Sequence, residues 1–140
     1  MNNLSKKIII SSLLFLALNL SAQDYKVKMT TGKVIIHKVD EVNIEGYNGT
    51  EVIIQGNPIK PNKDDRAAGL HIINGSGISD NTGLGLSAVK DGTELTIKQV
   101  SKHSNGRYTI KIPQGVDVLY EHNGNQGGDV NVKNISGEIE

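Results

Sequence analysis

The sequence predicts an all-β protein in which antiparallel strands and a hairpin lead into a run of short strands. Apolar residues recur at alternate positions, most clearly Tyr108, Ile110 and Ile112, then Val116, Val118 and Tyr120, then Val130 and Val132. That period marks strands with one buried and one wet face. Turn residues rich in glycine separate these runs at roughly ten-residue spacing, which fits a sandwich, a barrel or a solenoid without choosing among them.

Composition narrows the class further. A chain of 140 residues has room for one domain with one modest core. Aromatic residues make up only 4%, and the single Phe, Phe15, lies near the N-terminus, so the core must be built from Val, Ile and Leu with a few Tyr. Sixteen Gly are too many for a helical bundle, and three Pro too few for a disordered Pro/Gly chain. The absence of Cys removes disulfides and thiolate chemistry.

Residues 1–22 have the form of a secretory signal peptide. Lys6 and Lys7 precede an apolar run from Ile8 to Leu20, and Ser21-Ala22 is a small-residue exit. The run is shorter than the roughly 20 apolar residues of a spanning helix, so the mature chain, 23–140, is expected to be exported with no membrane span. Loss of Lys6 and Lys7 leaves 13 basic against 15 acidic residues, a mature net charge of −2. With no basic stripe and no stacking aromatics, nucleic acid is not an expected partner.

In chain order, Tyr25, Val27 and Met29 alternate with Lys26, Lys28 and Thr30, and Thr31-Gly32 turns the chain. Lys33 to His37 carries apolar residues on both faces, so both are expected to be partly covered. Val42 and Ile44 lead to the turn Gly46-Tyr-Asn-Gly49, and Val52-Ile-Ile54 follows. Residues 55–69, with Lys63-Asp-Asp-Arg66, read as a solvated excursion before the strand Leu70-His-Ile-Ile73. Asn74 to Ala88 holds four Gly among Asn, Asp and Ser residues, a demand for positive φ and side-chain-capped turns. Thr93 to Val100 and Arg107 to Ile112 flank Asn105-Gly106 and read as the strongest hairpin in the chain. Pro113-Gln-Gly115 breaks one strand before Val116 to Tyr120 restarts, and Asp129 to Lys133 and Glu138 to Glu140 read as short rungs.

The blocks Arg66-Ala-Ala-Gly-Leu70, Ile73-Asn-Gly-Ser-Gly77 through Leu86, Tyr108-Thr-Ile-Lys-Ile-Pro-Gln-Gly-Val116 and Val132-Lys-Asn-Ile-Ser-Gly-Glu-Ile139 together resemble a bacterial family of secreted, adhesin-like proteins with β-strand repeats, a domain of unknown function. The resemblance covers nearly all of the mature chain. It implies a short β-solenoid outside the cytoplasm, in the periplasm, at the cell surface or beyond, and it brings no catalytic residues. Members continue through further rungs, whereas this chain stops at Glu140. The expectation is therefore a C-terminally short member whose exposed terminal edge pairs with itself or leaves the fold marginal.

No pattern of reactive residues rises above the turn chemistry, so no catalytic, cofactor or metal residue is assigned. Gly83-x-Gly85-x-x-Ala88 matches a dinucleotide fingerprint in form only, because no helical period follows it. His37, His71, His103 and His122 lack zinc-ligand spacing, and Asp64 and Asp65 sit adjacent on a solvated loop, where their separation cannot be held. The expected function is that of an exported, non-enzymatic β-repeat protein, an adhesin or envelope scaffold whose partner is a macromolecule or glycan. The alternative is a small enzyme acting on envelope polysaccharide, for which Glu121, Asp129 and Glu138 are the carboxylates on adjacent rungs.

Overall fold

The computed structural model describes residues 24–56, 77–100, 106–123 and 128–140. The expected signal peptide, residues 57–69 of the charged excursion, the strand Leu70–Ile73, His71, His103 and Asn105 of the expected hairpin turn lie outside them, whereas Gln55 and Gly56, expected to open that excursion, are paired as the end of a strand. Every regular element among the described residues is a strand: β1 (Asp24–Lys28), β2 (Gly32–His37), β3 (Val42–Tyr47), β4 (Glu51–Gly56), β5 (Leu86–Asp91), β6 (Glu94–Gln99), β7 (Tyr108–Pro113), β8 (Val116–Glu121) and β9 (Val130–Lys133).

They form two open, mixed sheets. The larger has the order β1-β4-β7-β3-β9 and the smaller β5-β6-β2-β8. β4 runs antiparallel to both its neighbours, β1 and β7, while β3 runs parallel to both β7 and β9. In the smaller sheet β5 and β6 are antiparallel, and β2 runs parallel to both β6 and β8.

Period-2 alternation turns one face of each sheet inward. Val34, Ile36, Leu95, Ile97, Val116 and Val118 from the smaller sheet join Val42, Ile44, Val52, Ile54, Tyr108, Ile110 and Ile112 from the larger in one core, all of them buried. On the opposite face of β2, Ile35 and His37 are half-buried, as expected for a strand covered on both sides. The Tyr108 hydroxyl donates to the Leu84 carbonyl at 2.9 Å, tying the Gly-rich loop before β5 to the larger sheet.

The hairpin expected between Thr93–Val100 and Arg107–Ile112 does not form. β6 and β7 enter different sheets, where Leu95 and Ile97 share one core with Tyr108, Ile110 and Ile112 without sharing a ladder. Alternation reports which face of a strand is buried, and both arrangements bury the same residues. The tight hairpin is β5–β6 instead, where Gly92, at φ 55°, and Thr93 join Asp91 to Glu94.

Three connections share one sense: β2 to β3, β6 to β7 and β8 to β9 each pass from the smaller sheet to the larger. In space the pair β2–β3 lies between the other two, so the neighbours of β2 come from distant parts of the chain. The Pro113-Gln-Gly115 break is where the chain changes sheets, with Gln114 N–H donating to the Tyr47 carbonyl at 3.1 Å. Beyond β9 the chain crosses close over Gly46, where a β-carbon would collide with the Asn134 carbonyl. It then reaches β8, and Ile139 forms a parallel bridge to Val118.

Candidate functional site

The outward positions of the larger sheet line up across all five strands. Since Val42, Ile44, Val52, Ile54, Ile110 and their register partners face the core, the residues between them face out. The registers set Asp24 beside Gln55, Gln55 beside Thr109, Thr109 beside Asn43 and Asn43 beside Asn131. A second row runs Lys26, Ile53, Lys111, Glu45, Lys133. Four strand spacings make each row about 19 Å long. The first row is a comb of amide, hydroxyl and carboxylate groups, in which Gln55 Nε2 donates to Asp24 Oδ1 at 3.1 Å. Each amide both donates and accepts, so the row can hydrogen-bond a polar chain laid across the strands.

A second polar cluster closes one end of the smaller sheet. Parallel pairing of β2 with β8 brings His37 beside Glu121, with Nδ1 and Oε2 2.9 Å apart. The turn that follows β2 holds Lys38 at φ 55° and Glu41 at φ 44°, left-handed conformations that cost energy in non-glycine residues. Between them Asp40 meets His122, Oδ1 to Nε2 at 3.0 Å. Gln99 closes the group by accepting from the Asp40 N–H at 2.9 Å and donating to its Oδ2 at 3.3 Å. The Tyr120 ring stacks on His122 with centroids 6.3 Å apart, and its hydroxyl donates to the Val39 carbonyl at 2.9 Å. Burial, and secondarily the charge of Asp40, push the Tyr120 phenol above its ordinary value. The polar groups of this cluster are bonded to one another, and what they accomplish is to pin the β2–β3 crossover onto β8. Among the described residues no three His, Asp or Glu side chains converge as metal ligands.

The three carboxylates of the alternative enzyme reading are not brought together. Glu121 ends β8 against His37. Glu138 lies alongside the start of the same strand, its N–H donating to Asp117 Oδ1 at 2.9 Å and its carbonyl accepting from the Val118 N–H at 2.8 Å. Asp129 precedes β9 in the other sheet. The Gly83-x-Gly85 motif is occupied from within. Asp80 Oδ1 accepts from the N–H groups of Thr82 and Gly83, and Oδ2 from that of Gly85, all at 2.9 Å. The backbone donors that a phosphate would need are thus already held by a carboxylate of the same loop, and strand β5 follows where a dinucleotide fold would start a helix.

Neither the transverse polar row nor the Asp40–His122 pair was identified from the sequence, because both depend on register between strands far apart in the chain. Only the outward setting of Thr109 and Lys111 could be read from alternation. Compared with known proteins, the chain matches no family model, no curated protein and no solved structure.

Proposed function

We propose that this chain is an exported, non-enzymatic protein of adhesin or envelope-scaffold type that binds a glycan or another macromolecule across the outer face of its five-stranded sheet. The observation that carries this reading is the row Asp24, Gln55, Thr109, Asn43, Asn131, which spans the sheet from edge to edge. Amide and hydroxyl groups at regular spacing match the hydroxyls of an extended saccharide, and in the adjoining row Glu45 stands between Lys111 and Lys133. The signal-peptide form of residues 1–22 and the resemblance to secreted adhesin-like proteins support the same compartment and role. The three crossings from the smaller sheet to the larger, β6–β7, β2–β3 and β8–β9, are the part of the fold that we read as a short coil.

The test is binding of the purified chain to a panel of envelope polysaccharides and matrix proteins, with the triple variant N43A/T109A/N131A alongside, and fractionation of cells carrying the tagged protein. The wild type is expected in the exported fraction and to bind at least one panel member, with the triple variant weaker by about tenfold or more at an unchanged melting temperature. Binding indifferent to the triple variant would remove the face, cytoplasmic retention would remove the compartment, and cleavage of a bound polysaccharide would remove the non-enzymatic role.

A further inference from the structure

We infer that two copies of this chain join edge to edge through β9, pairing antiparallel about Asn131 with each Asp129 opposite the other copy's Lys133. This inference stands on observations separate from the ligand-binding face. β3 occupies one side of β9, and among the described residues β9 is the last strand of the larger sheet. Its Val130 and Val132 are in register with Val42 and Ile44, which are 1% and 0% exposed, yet they are themselves 39% and 38% exposed. They are the uncovered end of the core. At the opposite side of the molecule the two sheets are tied together, since Lys90 of β5 donates to the Lys28 carbonyl of β1 at 2.8 Å.

The sequence of this edge, Asp129-Val-Asn-Val-Lys133, is self-complementary. Antiparallel pairing centred on Asn131 sets Val130 against Val132 twice on the inward side. On the outward side it sets Asn131 against Asn131 and Asp129 against Lys133 twice. Both apolar and opposite-charge cross-strand pairs favour a ladder, and a two-fold axis normal to the sheet satisfies them all at once. Charge on the neighbouring strands agrees. Lys111, Glu45 and Lys133 alternate in sign along one row, and the second copy's Asp129 continues the alternation. Glu41 is already bonded to Arg107 at 2.7 Å, so the incoming Lys133 is the cation that falls directly opposite Asp129. The edge of the smaller sheet lacks this property. Self-pairing about Ile139 would set Glu138 against Glu140, like charges that oppose a ladder. The join therefore runs through the larger sheet alone, a small interface of the weak, concentration-dependent class.

Sedimentation equilibrium of the full mature chain from micromolar to millimolar concentration tests the inference, with D129K, K133D, their 1:1 mixture and the double variant D129K/K133D. Both positions are exposed, so the substitutions leave the core untouched. The wild type is expected to dimerise. Each single variant is expected to weaken self-association by about tenfold or more by placing like charges opposite each other twice. The mixture and the double variant, which restore opposite charges, are expected to recover it. A wild type that stays monomeric, single variants that dimerise as well as the wild type, or a mixture and double variant that fail to recover would each overturn it.

Discussion

Tyr108 joins two parts of the molecule through a single group. Its ring is fully buried in the larger sheet, and its hydroxyl satisfies the Leu84 carbonyl of the loop that enters the smaller one. Replacement by Phe keeps the ring and leaves a buried acceptor with one donor fewer, at a cost of about 1–3 kcal/mol. Urea unfolding of Y108F against the wild type is expected to show that loss with an unchanged slope, since the exposed area is the same. Tyr120 makes a different prediction. Burial raises its phenol pKa above the unfolded value, so the folded state holds that proton more tightly. Its contribution is fully present below about pH 10 and is lost as pH rises through the folded pKa. Lys33, raised chiefly by its hydrogen bond to Glu140, carries the same sign in the same alkaline range. Unfolding measured from pH 8 to 11 is therefore expected to show a fall in stability that Y120F makes shallower and, because Lys33 remains, does not abolish.

At the scale of elements, the Gly-rich loop before β5 is held by its own side chains rather than by its glycines alone. Asp80 accepts from three backbone N–H groups and from the Thr82 hydroxyl, while Asn81 exchanges two hydrogen bonds of 2.8 Å with the backbone of Ala88. D80A is expected to destabilise the protein by about 1–3 kcal/mol, because half-buried donors lose a charged acceptor. Hydrogen exchange is expected to quicken at Thr82, Gly83 and Gly85 and to change little in β7. The sequence announced this loop as side-chain-capped, since Asn, Asp and Ser cluster among its glycines. It also announced the alternation of β7 and β8 and the Pro113–Gly115 break between them. What it could not announce was pairing. Leu95 and Ile97 are as well buried opposite β7 as they would be beside it, and a period of two says nothing of which strand lies alongside. The Asn105-Gly106 turn signal outweighed that ambiguity and pointed to a hairpin the fold does not use.

For the molecule as a whole, the same limit decides how much of the candidate site was readable. Thr109 and Lys111 are polar residues between apolar ones, which is visible in the sequence. Their assembly with Asn43, Glu45 and Gln55 into transverse rows follows from β3 lying between β7 and β9, which is not. His37 and Glu121, or Asp40 and His122, meet only because β2 and β8 run parallel with one fixed register. Neither local spacing nor composition carries that information. The exposed end of the core at Val130 and Val132, and its self-complementary register, follow from the position of β9 beside β3.

The interleaving of β2–β3 between strands made much later has a consequence for biogenesis. A ribosome releases β2 and β3 long before β6, β7 and β8 exist to flank them, and the locally closed hairpin β5–β6 does not include them. The emerging polypeptide thus has no native ladder for its first central strands until most of the chain has been synthesised.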